Sequence, residues 1–371
     1  MSIHSQPEGL VRVLPLAGLA ANTRAPQLPA AEHRSMFRSM LLIRMLDEKM
    51  LMLQRQGRIA FFGPSAGQEA AIIGSGSVAR KDDWVFPALR EAGIALHRGF
   101  PLEQYFGQLF GNVLDPQQGR QQPMHFSSGA VHYVSLSSPI ATQLPQATGA
   151  AVASKLRGDG AVIFAYLGDG ATSEHDFHSA LNFAAVWKAP VIFLCQNNGW
   201  AISVPFEKQT ASLGVAVKAA AYGMPGIAVD GNDVLAVRAT TELAFERARR
   251  GEGPALLEFV TWRRGGHSSS DDPTRYRDEA SIPPWVLVDP LERYRAWLRT
   301  ENLLSASDEE AIAAELKSAM DEGIAKAEHA ERPDLESMFR DVTKDMSPAL
   351  TRQLMSADRD TSGKAEGAFP L

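Results

Sequence analysis

Gly168-Asp169-Gly170 and Asn197-Asn198 combine residue types that could hold a metal ion and a phosphate. The first set closes the apolar run "AVIFAYL"; the second follows "APVIFLCQ". Between Gly170 and Asn197 lie residues 171–196, 26 in all. A carboxylate and an amide oxygen are hard ligands. With room left for phosphate oxygens and water they suit Mg²⁺, which prefers octahedral oxygen coordination and seldom takes an all-protein cage. Glycines on both sides of Asp169 let the backbone approach a ligand closely. A helix opening after Gly170, capped by Thr172 or Ser173, favours an anion at its N-terminus. The combination reads as a metal–diphosphate site; the plainer alternative makes Asp169 a helix-capping carboxylate.

Two look-alikes sharpen that reading. Gly158-Asp159-Gly160 repeats the tripeptide but precedes its strand, which places it at the opposite sheet edge as a polar turn. Gly74-Ser75-Gly76-Ser77-Val78-Ala79 fits G-x-G-x-x-A. A dinucleotide fingerprint must follow a strand and open a helix. Here "RKDDWVFP" follows, so a dinucleotide site is rejected. His267, in "RRGGHSSSDD", lies in a Gly/Ser-rich loop after a strand. Its imidazole could exchange protons near neutrality or stabilise a developing anion.

These residues need a scaffold that brings separated loop tips together. "AVIFAYL", "APVIFLCQ", "GIAVDG" and "PALLEFVTW" are short runs rich in β-branched residues, with helical segments at 173–187 and 233–250 between them. That alternation predicts βαβ units and an α/β, doubly wound parallel sheet with helices on both faces. Parallel neighbours end at the same edge, about 5 Å apart, where open α/β sheets bind ligands. The spacing of Met36, Phe37, Met40, Leu41, Met45 and Leu46 predicts a core-facing helix over 32–56, stopped by Gly57. Residues 60–150 read as irregular. A helix over 307–330 is expected to start with a capping box of Ser307 and Glu310. His175 and His178 read as structural. The expected division is an arm (1–30), one domain (31–345, motif core 160–275) and a poorly ordered tail within 346–371.

Composition bounds the rest. The chain has 371 residues, 45% hydrophobic and 22% charged, with net charge −6. That balance gives no electrostatic footprint for nucleic acid. No run of about 18 apolar residues is present, so no membrane span is expected. Cys195 is the single cysteine and reads as a buried small hydrophobe. "LVRVLPLAGLAA" lacks a preceding basic segment and is interrupted by Arg12 and Pro15, so it is not read as a signal peptide. A bacterial-type cytoplasmic location is expected, with the N-terminal arm packed on a partner chain.

The motifs together resemble a known family. "GPSAGQEA", "DDWVFPALREAG", "GRQQPMH", "SSPIATQLPQATGAA", "LGDGATSE", "QNNGWAIS" and "GGHSSSDDPTRYR" are similar to the α subunit of the thiamine diphosphate-dependent first component of 2-oxo acid dehydrogenase complexes, most of all the branched-chain (2-oxoisovalerate) type. The likeness covers about residues 30–345. It implies that Asp169, Asn198 and the Trp200 carbonyl ligate Mg²⁺, that Gly168, Gly170 and Ala171 approach the diphosphate, and that Arg90 binds a phosphate. Ser138 and Ile140 match positions at the aminopyrimidine end. Branched-chain members also bind potassium in this loop, here through Ser137, Pro139, Thr142 and Gln143. His267 matches the histidine that assists acyl transfer to a lipoyl group; His125 matches a position facing the substrate. Phe61 and Leu89 would line the substrate pocket. The pattern is broken at Leu89, where the family usually has Tyr, and at Gln196, where some members have Arg, so fewer diphosphate contacts are expected. The likeness further implies a β subunit supplying a glutamate, a heterotetramer of two α and two β chains, and a lipoyl-bearing acyltransferase partner. Alternatives are the same subunit serving pyruvate or acetoin, a non-catalytic Mg²⁺–nucleotide module, and an assembly subunit.

Overall fold

The computed structural model describes residues 7–16, 19–340 and 343–360. Its strands are β1 (Trp84–Phe86), β2 (Ile163–Gly168), β3 (Val191–Asn197), β4 (Trp200–Ala201), β5 (Val204–Pro205), β6 (Gly226–Asp230) and β7 (Ala255–Val260). The helices begin with α1 (Ala30–Arg55), α2 (Glu69–Gly76), α3 (Ala92–His97), α4 (Leu102–Phe110), α5 (Gln143–Arg157) and α6 (His175–Trp187). They continue with α7 (Phe206–Gln209), α8 (Val234–Arg249), α9 (Pro290–Thr300), α10 (Ala306–His329), α11 (Ser337–Arg340) and α12 (Pro348–Asp360).

Five strands form one parallel sheet in the order β1-β2-β3-β7-β6; β4 and β5 form a separate antiparallel ribbon. Side chains alternate between its faces. Phe164, Tyr166, Ile192 and Leu194 join the core with α2 and α8, while Ala165, Leu167, Phe193 and Cys195 join the one with α5 and α6. α6 carries the chain from β2 to β3, and α8 carries it from β6 back to β7. Right-handed crossovers running in opposite directions put those helices on opposite faces, as the doubly wound reading requires. In α1, Met36, Phe37, Met40, Leu41 and Leu46 are buried and Met45 is half-buried. Among the described residues no helix is long and apolar enough to cross a membrane.

Several expectations are corrected. Residues 60–150 hold α2, β1, α3, α4 and the first part of α5 rather than irregular chain. All eight residues of α2 are buried, so it has no polar face and no amphipathic period to read. Its glycines, part of the G-x-G-x-x-A look-alike, serve packing: a Cβ on Gly74 would lie 2.7 Å from the Val234 carbonyl, and one on Gly76 2.8 Å from Ile94.

Asp169–Ser173 forms a 3₁₀ turn after β2, and α6 begins only at His175, without a side-chain cap. Thr172 instead donates to the Asp169 carbonyl at 2.8 Å and accepts from Lys218 at 2.8 Å. The α10 capping box is Ser305 and Asp308, two residues earlier than expected. Buried Leu304 brings the chain into the helix at that point.

Over residues 10–14 the N-terminal arm packs on this chain's own sheet edge. Val11 bridges Val229, and Arg12 Nε donates to Asp230 at 2.9 Å. In the tail, 348–360 are helical; 361–371 lie outside the described residues.

Candidate active site

β2 and β3 are parallel neighbours with Gly168 opposite Gln196, so Asp169 and Asn198 emerge side by side at the C-terminal edge. The Asn198 backbone N–H donates to the Asp169 carboxylate, and Gln209 Nε2 donates to Asp169 Oδ2 at 2.9 Å. Asp169 is buried. Loss of water pushes its pKa up to about 6, against the pull of those hydrogen bonds. The cost falls on a carboxylate that forms no ion pair among the described residues, an arrangement that a bound cation would relieve.

A second layer holds the asparagines. Asn197 donates to Glu258 at 2.6 Å, and Glu258 accepts the Val215 and Ala216 N–H groups at 2.8 Å each. Asn198 donates to Gln68 at 3.2 Å and accepts the Trp200 N–H at 3.2 Å. Gly199 lies between them at φ +83°, a left-handed conformation suited to glycine. The turn leads into β4, whose Ala201 packs so closely on Gly170 that a Cβ there would lie 2.6 Å from the alanine methyl.

A cavity of about 400 Å³ opens beside this pair. Every predicted site residue lines it except Pro139 and Thr142 of the proposed potassium loop. In that loop Ser137 donates to the Pro139 carbonyl at 3.2 Å, and the Gln143 amide donates to Tyr166 at 2.7 Å. Phe61, Leu89, Leu136 and Ile140 give the cavity an apolar side.

Its cations are Arg90 and Arg263. Arg90 donates to the Pro64 carbonyl and, at 3.0 Å, to the His267 carbonyl. Burial, then repulsion from Arg263, holds its pKa down to about 10, so it is still charged at neutral pH. Two buried guanidiniums make this end a receptor for an anion. Arg263 donates to the Ile202 carbonyl at 2.9 Å and to the Tyr276 hydroxyl at 2.7 Å.

The loop after β7 carries His267, whose N–H donates to Asp271 at 2.5 Å. Burial, then Arg90 and Arg263, press the imidazole pKa down to about 4, so the ring is neutral at pH 7. Its Nδ1 faces Arg90 Nη2 at 3.4 Å. A guanidinium only donates, so Nδ1 keeps the lone pair and Nε2 carries the proton.

Sequence reasoning missed Gln68 and Arg263. Gln68 is the residue just before the fully buried helix α2; Arg263 is the first charge after β7. Gln196 bonds buried Glu91, which also accepts the Ala88 and Arg90 N–H groups at 2.8 and 3.1 Å. Gln68 Nε2 and Gln196 Oε1 are buried at the cavity wall and meet no partner among the described residues. Such orphaned atoms are costly unless a ligand or water meets them. Among the described residues no cluster of three His, Cys, Asp or Glu could hold a metal. A cation here would rest on a mixed set of carboxylate, amide and carbonyl oxygens completed by the ligand, which fits a magnesium diphosphate.

A parallel sheet with an anion-receptive cavity at its C-terminal edge defines a nucleotide- or diphosphate-cofactor enzyme class. Residues 37–336 match the dehydrogenase E1 component family, and the chain belongs to that thiamine diphosphate-dependent family. It is 41% identical to 2-oxoisovalerate dehydrogenase subunit alpha 2, mitochondrial, of Arabidopsis thaliana over 95% of this chain and 75% of the relative. It is 39% identical to the alpha subunit of the Mus musculus mitochondrial enzyme, over 98% and 82%. It is 42% identical to 3-methyl-2-oxobutanoate dehydrogenase subunit alpha of Mycobacterium tuberculosis, over 88% and 86%.

Proposed function

We propose that this chain is the α subunit of a branched-chain 2-oxo acid dehydrogenase. Its reaction is the thiamine diphosphate- and Mg²⁺-dependent oxidative decarboxylation of 3-methyl-2-oxobutanoate and related 2-oxo acids, with acyl transfer to a lipoyl group. The observation that carries this is the convergence of Asp169 and Asn198 beside a cavity holding Arg90, Arg263 and His267. The names of the relatives support the substrate class.

When bound, the cofactor supplies the electron sink that decarboxylation needs. Asp169, Asn198 and the Trp200 carbonyl would hold its Mg²⁺. Arg90, with Gly168, Gly170 and Ala171, would take its diphosphate. Ser137, Pro139, Thr142 and Gln143 would hold potassium and stiffen the loop that carries Ser138 and Ile140. His267, neutral with its proton on Nε2, can donate a hydrogen bond from that N–H to a developing anion. Phe61, Leu89, Leu136 and Ile140 would exclude water and pack against a branched side chain. The α subunit works in a heterotetramer with two β chains and delivers acyl groups to a lipoyl-bearing acyltransferase.

The test is reconstitution with the β subunit. Turnover is expected with 3-methyl-2-oxobutanoate, dependent on Mg²⁺ and thiamine diphosphate. A clear preference for pyruvate or acetoin would overturn the substrate choice. Binding of ATP or NAD by the lone chain, with no thiamine diphosphate binding in the complex, would overturn the class.

A further inference from the structure

We propose that His125 is a positioning residue that turns Ser138 into a hydrogen-bond acceptor facing the cavity, so that the ligand must present an N–H donor there. The inference rests on the thiamine diphosphate reading: the donor would be the exocyclic amino group of the aminopyrimidine.

The polarity follows from a chain of partners. His125 Nδ1 lies 3.0 Å from the Pro123 carbonyl, which can only accept, so Nδ1 carries the proton. In the neutral ring Nε2 then holds a lone pair. Ser138 Oγ lies 2.5 Å from that Nε2, so the single hydroxyl proton is committed to the histidine. What Ser138 has left for the cavity it lines is its lone pairs. Both nitrogens of His125 are engaged, so its hydrogen bonding reaches a ligand through Ser138.

The surrounding chain holds this arrangement at some cost. His125 is buried, and the preceding Met124 is left-handed at φ +71°, a conformation a bulky residue seldom adopts. Buried Gln108 grips both sides of the turn: it accepts the Met124 N–H at 2.6 Å and donates to the Gln122 carbonyl at 2.7 Å. The Gly63 N–H meets Met124 Sδ at 2.9 Å. Strained backbone persists where its surroundings over-determine it, and here it fixes which way the imidazole points.

The test compares two ligands on the full chain assembled with its β subunit: Mg²⁺–thiamine diphosphate and Mg²⁺–oxythiamine diphosphate, in which an oxo group replaces the amino group. The wild type is expected to prefer the amino compound. His125→Phe keeps ring volume but frees the Ser138 proton to donate, so the preference should fall by about tenfold, the worth of one hydrogen bond and its mismatch. Ser138→Ala should lose the preference to a similar extent. His125→Gln, whose carbonyl can still accept from Ser138, should retain it. An unchanged preference in both His125→Phe and Ser138→Ala would overturn the inference while leaving the cofactor reading intact. If the wild type binds neither compound, both fall.

A ligand-free measurement stands beside these variants. The ¹⁵N shifts of His125 should show a protonated Nδ1 and a bare Nε2. The opposite tautomer would overturn the inference even if His125→Phe did not fold.

Discussion

The tripeptide Gly-Asp-Gly occurs twice, ten residues apart, and the two copies end up at opposite edges of the sheet. Gly158 and Gly160 are left-handed at φ +67° and +75° and form the turn between α5 and β2. Asp159 between them is 36% exposed, bonds Ser154, and pairs with Arg157 at 2.8 Å. Its pKa falls, chiefly through the Ser154 hydrogen bond. Asp169 is 1% exposed, forms no ion pair among the described residues, and its pKa rises to about 6. The composition of the motif is the same. What differs is whether the strand has just begun or just ended, because only the C-terminal edge collects loop tips from β3, β7 and the ribbon. The first copy stabilises itself with partners at hand; the second waits for a partner from outside.

The strongest way to break this contrast is Asp169→Asn. Removal of a direct metal ligand is expected to weaken Mg²⁺-dependent thiamine diphosphate binding by at least about 100-fold, the upper range for loss of a mere supporting contact. Titration calorimetry on the assembled complex checks it; binding weakened only a few-fold would refute the ligand assignment. The same variant should stabilise the ligand-free chain. A carboxyl with a folded pKa near 6 and an ordinary value of 3.8 binds its proton more tightly when folded. Stability contributed by this group therefore falls as pH rises from about 4 to about 6, and stays lost above that. The loss is at most about 3 kcal/mol at neutral pH. Denaturant unfolding of wild type and variant should coincide near pH 4 and diverge by pH 7, the variant being the more stable.

The next effect concerns Gln196, which meets the buried Glu91 carboxylate with a neutral amide and leaves its own oxygen orphaned. Gln196→Arg would give Glu91 a cation and offer the diphosphate a charged donor. Affinity for Mg²⁺–thiamine diphosphate is expected to rise about tenfold, as for one charge-assisted hydrogen bond. Unchanged or weaker binding would show that the amide already faces something other than phosphate.

How legible was all this beforehand? The parallel sheet was legible because β2, β3 and β7 are buried on both faces and read as near-continuous apolar runs. The pairing of Asp169 with Asn198 was legible because a βαβ unit fixes both loop tips to one edge. α2 was not, since a helix buried all round has no polar stripe. Arg263 and Gln68 were not, since their value comes from which strand ends beside which. The arm's anchor on the sheet edge was not legible either, since Asp230, which bonds both Arg12 and Arg293, lies 218 residues from Arg12.

A smaller effect tests the electrostatics of the cavity. His267 is held near pH 4 first by burial and then by Arg90 and Arg263. Arg90→Met removes the second cause only, so the imidazole pKa should climb part of the way towards 6.5, measurable by NMR titration. No movement would mean that Arg90 is too well screened to act on the ring.

The smallest expected effect is at the other copy. Asp159→Ala removes a pair exposed to water and a turn hydrogen bond to Ala161 at 3.1 Å. Exposed pairs contribute little, because water and salt screen them and ordering two side chains costs entropy, so the loss should stay within about 1 kcal/mol. Cofactor affinity should not change at all, because Asp159 lies at the far end of β2 from the cavity. The same calorimetry that reads Asp169→Asn reads this variant. A loss of binding at Asp159 would mean that the two ends of the sheet are coupled through β2, and that position on the strand does not by itself separate a turn from a ligand site.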